Sequence, residues 1–243
     1  MIGALIKVRT QSKRFPRKAL ENLAGKPMLV RCIENVQRIF DGPIVVATTK
    51  LKSDDELAKV SEKAGAKIYR GAVHDVFIRS WKAMQKFGLA HALEISGDCP
   101  FLDEKIAIQV KKAMMEKPEY DYIAPYVTHR NLSGEVLARS FALSYYEKIH
   151  SIYQLIPKKV IRRVEGGWAA WIVATMGSTV IEERITKLQI QLDDRFPWAD
   201  TMIKFSIDWP LELAVANRIV EHIGHYPHDV TEIYNAYREI KKL

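Results

Sequence analysis

The sequence predicts an α/β fold in three layers, with helices covering both faces of a mostly parallel sheet. Two observations lead to this class. Short β-branched runs alternate with amphipathic helical patterns along most of the chain, and 48% of the 243 residues are hydrophobic, enough to bury a sizeable core. We therefore expect one domain spanning residues 1–243.

The first part of the chain alternates strands and helices in regular order. ALIKV at 4–8, PIVVATT at 43–49 and AKIYRG at 66–71 predict the first three strands. Pro27 opens the first helix, whose apolar residues recur at helical spacing. Ser53 and Glu56, three residues apart, form the pattern of a capping box and predict the start of the second helix.

The second part continues the alternation and then departs from it. DVFIRSWKAMQKF at 75–87 predicts a helix, ALEIS at 92–96 a strand, and Asp103 a cap for the helix at 104–117. DYIAPYV at 121–127 predicts the fifth strand. From about 127 to 203 the alternation weakens, and IKFSID at 203–208 with the helical pattern at 210–223 restores a last strand and helix.

The cellular context also follows from composition. Charges interrupt the longest apolar runs well before membrane-spanning length, so we expect no integral membrane segment. The N-terminal MIGALIKVRT does not have the basic-then-apolar order of a signal peptide, so we expect a cytoplasmic protein. The two cysteines, Cys32 and Cys99, are expected to be reduced.

The net charge of +8 favours polyanionic partners, and the basic residues concentrate in VRTQSKRFPRKAL at 8–20. This loop begins where the first strand ends, and ligands of open parallel sheets bind beyond the carboxyl ends of their strands. Arginine and lysine side chains together with hydroxyls suit a triphosphate, whose charge would relieve their mutual repulsion. A solvated basic loop remains the alternative.

Asp98 and Asp208 form a second candidate site. Each follows an apolar strand and stands two residues before a proline, so both are expected at the same sheet edge as the basic loop. Mg²⁺ is commonly held by one or two carboxylates together with substrate phosphates. The pair therefore predicts a magnesium site, while the alternative is that each aspartate caps the helix that follows it.

These motifs together resemble a known family. The pattern Arg9-x-x-Ser12-x-Arg14-x-Pro16-x-Lys18, followed by GKP at 25–27, is similar to the nucleotide-binding signature of the cytidylyltransferases that make CMP-sugars. The resemblance continues through VVATT at 45–49, DVFIR at 75–79, SGDCPFLD at 96–103 and SIDWPLEL at 206–213. It is strongest to the branch named for the spore-coat polysaccharide biosynthesis protein F.

The resemblance implies a Rossmann-like nucleotide-diphospho-sugar transferase fold and assigns roles to individual residues. It implies catalytic roles for Arg14, Lys18 and Asp98, and a metal site at Asp98 and Asp208. The implied nucleotide-binding residues are Arg9, Thr10, Ser12, Arg14, Lys18, Ala47, Thr48 and Thr49. The implied acceptor-binding residues are Asp75, Arg79, Asn131, Gly134 and Glu135. The segment at about 127–203 is implied to serve acceptor binding and dimerisation, which gives a homodimer.

The function implied is a Mg²⁺-dependent cytidylyltransferase. It would activate a sugar acid, sugar or polyol with CTP and release pyrophosphate, for surface polysaccharide or glycolipid synthesis. Two other classes stay open from the residues alone. A nucleotide-sugar-dependent glycosyltransferase usually needs a closely spaced Asp-x-Asp, and the nearest match is EYD at 119–121. A basic nucleic-acid-binding protein needs a recognisable module, which the sequence does not contain, so we expect no nucleic-acid partner.

Overall fold

The computed structural model of the protein describes residues 1–126, 138–153, 185–191 and 206–242. These parts of the chain form a seven-stranded sheet with helices on both faces, and a two-stranded hairpin beside it. The strands are β1 (Ile2–Lys7), β2 (Asn22–Leu23), β3 (Lys26–Pro27), β4 (Ile44–Thr49), β5 (Lys67–Gly71), β6 (His91–Ser96), β7 (Tyr122–Tyr126), β8 (Arg139–Ala142) and β9 (Lys187–Gln191). The helices, numbered along these described parts, are α1 (Met28–Gln37), α2 (Asp55–Lys63), α3 (Val76–Phe87), α4 (Glu104–Glu116), α5 (Leu143–Tyr153), α6 (Pro210–Ile223) and α7 (Val230–Ile240).

The sheet has the strand order β5-β4-β1-β6-β8-β7-β9. Strands β5, β4, β1 and β6 are parallel, β8 runs antiparallel to both of its neighbours, and β9 is parallel to β7. The predicted fold class, a mostly parallel sheet between two helical layers, is confirmed. Because β1 lies between β4 and β6, the carboxyl ends of these three strands meet at one edge of the sheet.

Alternation along the central strands fills a core on each face of the sheet. Ile6 and Val46 pack with α1, α2 and α4, whereas Leu5 and Val45 pack with α3 and α5. A third apolar cluster joins α6 and α7 to the hairpin and to the start of α1. This third cluster contains Ile207, so it fixes the segment just before α6 near the sheet edge.

Of the two helix caps predicted from sequence, the structure contains one. Asp103 caps α4 by accepting a 3.0 Å hydrogen bond from the Ile106 N–H, as predicted. The predicted capping box of Ser53 and Glu56 is wrong, because the N-cap of α2 is Asp54 and Ser53 lies in a preceding 3₁₀ turn, Lys52–Asp54. The Asp54 side chain makes no capping bond and turns inward instead.

The last predicted strand does not form where the structure describes it. Residues 206–208 have no strand conformation, and 203–205 lie outside the described residues. Cys32 and Cys99 are buried free thiols, as expected. In the parts of the chain that the structure describes, every helix is too short or too polar to cross a bilayer.

The expected acceptor and dimerisation segment, about 127–203, is only partly described. Its described portions join the main sheet: β8 pairs with β6 and β7, α5 packs against α3, and β9 pairs with β7. The single domain and the homodimer stay predictions.

Candidate active site

The basic loop after β1 folds back on Thr10. The Thr10 carbonyl accepts hydrogen bonds from the Ser12 N–H at 2.9 Å and the Arg17 N–H at 2.8 Å. Ser12 Oγ in turn accepts the Phe15 N–H at 3.3 Å, and Arg17 has a left-handed backbone with φ 61°. The predicted phosphate loop is therefore a compact turn whose two ends are joined at Thr10.

The turn carries Lys18 into the interior, where it contacts both predicted metal ligands. Lys18 Nζ donates to Asp98 Oδ2 at 2.5 Å and to Asp208 Oδ1 at 2.8 Å, and its side chain is only 9% exposed. Arg14 Nη2 donates to the same Asp208 oxygen at 2.7 Å, from a side chain that is 55% exposed. Three residues that the sequence predicted as catalytic, Arg14, Lys18 and Asp98, therefore lie in one cluster with Asp208.

Two close backbone contacts bring the aspartates together. The Gly97 N–H donates to the Lys7 carbonyl at 2.9 Å, and a Cβ on Gly97 would lie 2.7 Å from the Val8 side chain, so this approach needs a glycine. The Ile207 N–H donates to the Asp98 carbonyl at 2.9 Å, which sets Asp208 beside Asp98 across 110 positions of sequence.

The structure also distinguishes the two interpretations of Asp208. The N-cap of α6 is Trp209, and Glu212 accepts the N–H groups of Asp208 at 2.5 Å and Trp209 at 3.0 Å. Helix capping is therefore carried out by Glu212. The carboxylate of Asp208 is engaged by Lys18 and Arg14 instead.

The donor set of the cluster fits Mg²⁺. Asp98 and Asp208 each place an oxygen within hydrogen-bond distance of one nitrogen, so both can reach a single cation. Among the described residues no group of three or more acidic, histidine or cysteine side chains could hold a metal ion. Two carboxylates completed by substrate phosphates are an ordinary Mg²⁺ arrangement.

A cavity of about 270 Å³ opens beside this cluster. Asp98, Asp208 and Arg14 line it together with Lys7, Glu94 and Arg139. Glu94 and Arg139 are directly opposite each other in the pairing of β6 with β8. The cavity is large enough for a small polar molecule and faces charges of both signs.

An ion pair of Lys7 and Glu94 lies in the lining of the cavity. Lys7 Nζ lies 2.5 Å from Glu94 Oε1, and the Tyr146 hydroxyl donates to Glu94 Oε2 at 2.5 Å. The side chains of Lys7 and Glu94 are 25% and 12% exposed. Burial and the nearby Glu94 carboxylate both raise the pKa of Tyr146, so this hydroxyl remains a proton donor. No motif in the sequence marks Lys7 or Glu94, because each stands inside an apolar strand as an ordinary surface residue would.

Four predicted nucleotide-binding residues are not in the lining of the cavity. Thr10, Ala47, Thr48 and Thr49 are all buried, and the three threonine hydroxyls donate to Asp54. Their hydroxyls therefore have partners inside the protein. Their contact with a nucleotide stays a prediction.

Arg9 and Arg79 hold the loop after β5. Arg79 Nη1 donates to the Ala72 carbonyl at 2.7 Å, and Arg9 Nη1 to the Val73 carbonyl at 3.4 Å. Arg79 is 2% exposed, and its burial, together with the charge of Arg9, lowers its pKa to about 10. Asp75 caps α3 through a 2.9 Å bond from the Ile78 N–H.

Of the predicted acceptor-binding residues that the structure describes, Asp75 and Arg79 are not in the cavity lining. Asp75 and Arg79 are engaged with the backbone of α3 and of the loop after β5. Asn131, Gly134 and Glu135 lie outside the described residues.

Comparison with known proteins assigns the family. The sequence profile described as cytidylyltransferase matches residues 3–167, more than half of the chain. The chain therefore belongs to the cytidylyltransferase family, a family of nucleotidyltransferases. This match favours the first of the three functional classes that the sequence left open.

Individual relatives agree with this assignment. The 3-deoxy-manno-octulosonate cytidylyltransferase of Francisella philomiragia is 32% identical over 123 residues, which cover 49% of this chain and 48% of that protein. The protein of the same name from Helicobacter pylori strain J99 is 27% identical over 158 residues, 63% of each chain. The chain thus spans about half to two thirds of the length of the curated relatives it matches.

Solved structures share the fold. A cytidylyltransferase from Leptospira borgpetersenii superposes with a TM-score of 0.77 at 20% identity, covering 99% of this chain and 94% of that one. A CMP:2-keto-3-deoxy-manno-octonic acid synthetase in complex with CTP gives a TM-score of 0.63 at 14% identity, covering 90% and 98%. At these identities the likeness concerns the fold alone.

Proposed function

We propose that the protein is a Mg²⁺-dependent cytidylyltransferase that transfers CMP from CTP to a sugar acid, sugar or polyol and releases pyrophosphate. The product would serve surface polysaccharide or glycolipid synthesis. One observation carries the proposal: Lys18, at the end of the basic loop, contacts both Asp98 and Asp208 at the edge of the sheet. A cationic loop beside paired carboxylates suits a magnesium-bound triphosphate.

The reaction needs alignment and charge neutralisation rather than a covalent nucleophile. An acceptor hydroxyl forms a bond to the α-phosphorus and gives up its proton to water, while the bond from that phosphorus to pyrophosphate breaks. Lys18 and the exposed Arg14 offset the charge on the transferring and leaving groups. Ser12 and Arg9 bind further phosphate oxygens from the same loop.

The metal has a defined place in this scheme. Asp98 and Asp208 would hold Mg²⁺, which would neutralise phosphate charge when bound. Lys18 is the cation that these carboxylates already contact. The same two aspartates therefore attract the positive groups that a triphosphate requires.

The acceptor binds beside the Lys7–Glu94 ion pair of the cavity. Lys7 and Glu94 offer an N–H donor and a carboxylate acceptor side by side, which suits neighbouring hydroxyl groups. Arg139, paired with Glu94 across β6 and β8, adds a positive charge, which suits a carboxylate or phosphate of the acceptor. Because Asp98 and Asp208 line the same cavity, an acceptor held here would have a hydroxyl near the transferred phosphorus.

The test is pyrophosphate release from each of the four nucleoside triphosphates, with and without Mg²⁺. The first acceptor to test is 3-deoxy-manno-octulosonate, named in the relatives above, followed by neutral sugars and polyol phosphates. We expect release with CTP and Mg²⁺ only when a suitable acceptor is present. Equal calorimetric affinity for all four triphosphates would contradict the cytidylyl assignment.

A homodimer is part of the proposal. The segment at about 127–203 interrupts the strand–helix alternation, and such an insertion is where we expect the two copies to pair. Light scattering that gives the mass of one chain at micromolar concentration would remove this part.

A further inference from the structure

Asp54 is a buried carboxylate outside the proposed catalytic cluster. It has no exposed surface, and it accepts hydrogen bonds from three threonines at two chain segments. Oδ1 accepts the Thr10 N–H at 2.9 Å and the Thr10 hydroxyl at 2.5 Å. Oδ2 accepts the Thr48 hydroxyl at 3.0 Å, the Thr49 N–H at 3.2 Å and the Thr49 hydroxyl.

The two oxygens of Asp54 therefore join two strand ends. Thr48 and Thr49 end β4, and Thr10 begins the basic loop three residues after β1. Thr10 is also where that loop closes on itself, because its carbonyl accepts the N–H groups of Ser12 and Arg17. Hydrogen bonds thus connect the Asp54 carboxylate, through the N–H and carbonyl groups of Thr10, to the loop that carries Arg14 and Lys18.

We propose that Asp54 is a positioning residue for the nucleotide: it fixes the phosphate loop to the end of β4 and so sets where Arg14 and Lys18 meet CTP. The inference rests on the proposed function, because it takes the loop to be the triphosphate site. Asp54 itself is not among the residues that line the cavity. Its contribution to binding passes through Thr10.

The chemistry of the site requires a carboxylate there. Each oxygen of Asp54 accepts one backbone N–H, from Thr10 on one side and from Thr49 on the other. A hydroxyl can rotate to accept a bond, but a backbone N–H can only donate. An asparagine would present its NH₂ group to one of the two N–H groups in either orientation, so one strand end would lose its partner.

Asp54→Asn is therefore the first test, with Asp55→Asn as its matched control. Asp55 is the next residue and pairs with Arg70 at the surface, where its side chain is 49% exposed. Both variants remove one negative charge at nearly constant volume. In calorimetry with Mg²⁺ and CTP, we expect Asp54→Asn to weaken binding by about tenfold or more and Asp55→Asn to leave it nearly unchanged.

A second series separates positioning from general stability. Thr10→Val removes the loop's hydroxyl bond to Asp54 and keeps the side-chain shape, whereas Thr10→Ser keeps the hydroxyl. Ser61→Ala is the control, because Ser61 is fully buried and donates to the Leu57 carbonyl at 2.8 Å within α2, away from the loop. Thr10→Val and Ser61→Ala should lower the thermal midpoint by comparable amounts.

The CTP affinities then decide the matter. The inference expects Thr10→Val to bind CTP several-fold more weakly than the wild type, Thr10→Ser to bind it more tightly than Thr10→Val, and Ser61→Ala to match the wild type. If Thr10→Val loses stability and binds CTP as tightly as Ser61→Ala, Asp54 is only a structural residue. This series decides even if Asp54→Asn does not fold.

A failure of the proposed function would look different. In that case the wild-type protein itself would show no CTP binding with Mg²⁺, and all variants would be alike. Binding by the wild type with unchanged affinity in Asp54→Asn and Thr10→Val would overturn the positioning role alone.

Discussion

Two acidic centres flank the basic loop, and they hold their charge in opposite ways. Asp54 is fully buried and is satisfied by hydroxyl and amide donors. Asp98 and Asp208, whose side chains are 26% and 6% exposed, face a cavity and contact the cations Lys18 and Arg14. Asp54, the closed centre, can only hold the backbone in place. Asp98 and Asp208, the open centre, can exchange their contacts with Lys18 and Arg14 for contacts with the cation of a ligand.

The pKa of Asp54 reflects this closed environment. Burial alone would raise the pKa of its carboxyl, but hydrogen bonds from Thr10, Thr49 and Thr48 outweigh burial and keep the pKa below the ordinary 3.8. A carboxylate that is held by fixed donors stays ionised and immobile. The comparison therefore supports the two proposals, a positioning role for Asp54 and a part in the chemistry for Asp98 and Asp208.

The largest expected effect comes from removing charge at the open centre. Asp98→Asn and Asp208→Asn keep the side-chain volume, and each should lower Mg²⁺-dependent turnover by at least about a hundredfold. Because the two carboxylates share one cation, the double variant should be scarcely worse than either single one. Steady-state pyrophosphate release measures all three, and fully multiplicative losses would contradict a shared site.

Glu212→Gln is the control for these variants. An amide oxygen can still accept the N–H groups of Asp208 and Trp209, so the start of α6 is kept. We expect turnover within a few-fold of the wild type. A collapse equal to that of Asp208→Asn would mean that Glu212 belongs to the metal site.

The second prediction removes the cation that bridges the open centre. Lys18→Met leaves two carboxylates facing each other, so turnover and the thermal midpoint should both fall. Mg²⁺ should then raise the midpoint of Lys18→Met by several degrees more than that of the wild type, even without CTP. Sodium chloride at equal ionic strength is the control, and an equal response of both proteins to Mg²⁺ would contradict the prediction.

The third prediction concerns the Lys7–Glu94 ion pair in the cavity lining. Glu94→Gln removes the charge that pairs with Lys7, and it should raise the acceptor KM by about tenfold while the CTP KM stays nearly constant. Glu116→Gln, in an exposed pair with Lys112 at 3.8 Å, is the control and should change neither constant. Equal increases in both KM values would show that Glu94 acts on the whole site rather than on the acceptor.

The smallest effect is a pH dependence of opposite sign at two buried aspartates. The folded pKa of Asp54 is lowered, so its contribution to stability is present above 3.8 and is lost as pH falls further. Burial raises the pKa of Asp103, the cap of α4, so its contribution grows as pH falls through this raised pKa and is fully present below 3.8. As the pH falls, the difference in thermal midpoint between the wild type and Asp54→Asn should narrow, whereas the difference between the wild type and Asp103→Asn should widen. If both differences change in the same direction, the opposite pKa shifts of the two aspartates are contradicted.

The open centre was predictable from sequence, because its residues follow a rule of the fold. Asp98 comes two residues after the end of β6, Asp208 follows an apolar run, and both precede an X-Pro pair, which places them at the sheet edge near the basic loop. What the sequence did not show is that Lys18 joins them, since the contacts span 80 and 190 positions.

The closed centre was not predictable for a related reason. Asp54 stands in the charged run KSDDE, where a helix begins, and Ser53 with Glu56 imitates a capping box. Its partner Thr10 lies 44 positions away, in the loop after β1. The antiparallel strand β8 was also missed, because it lies within the stretch in which the alternation weakens.

The most direct test of the account is pyrophosphate release by the wild type and by Asp208→Asn, with CTP, Mg²⁺ and an accepted acceptor. The account predicts turnover in the wild type and its near-complete loss in the variant. It also predicts similar thermal midpoints for the two, because Glu212 still caps α6. Near-normal turnover of Asp208→Asn at ordinary Mg²⁺ concentrations would contradict the two-carboxylate site on which the proposed mechanism depends.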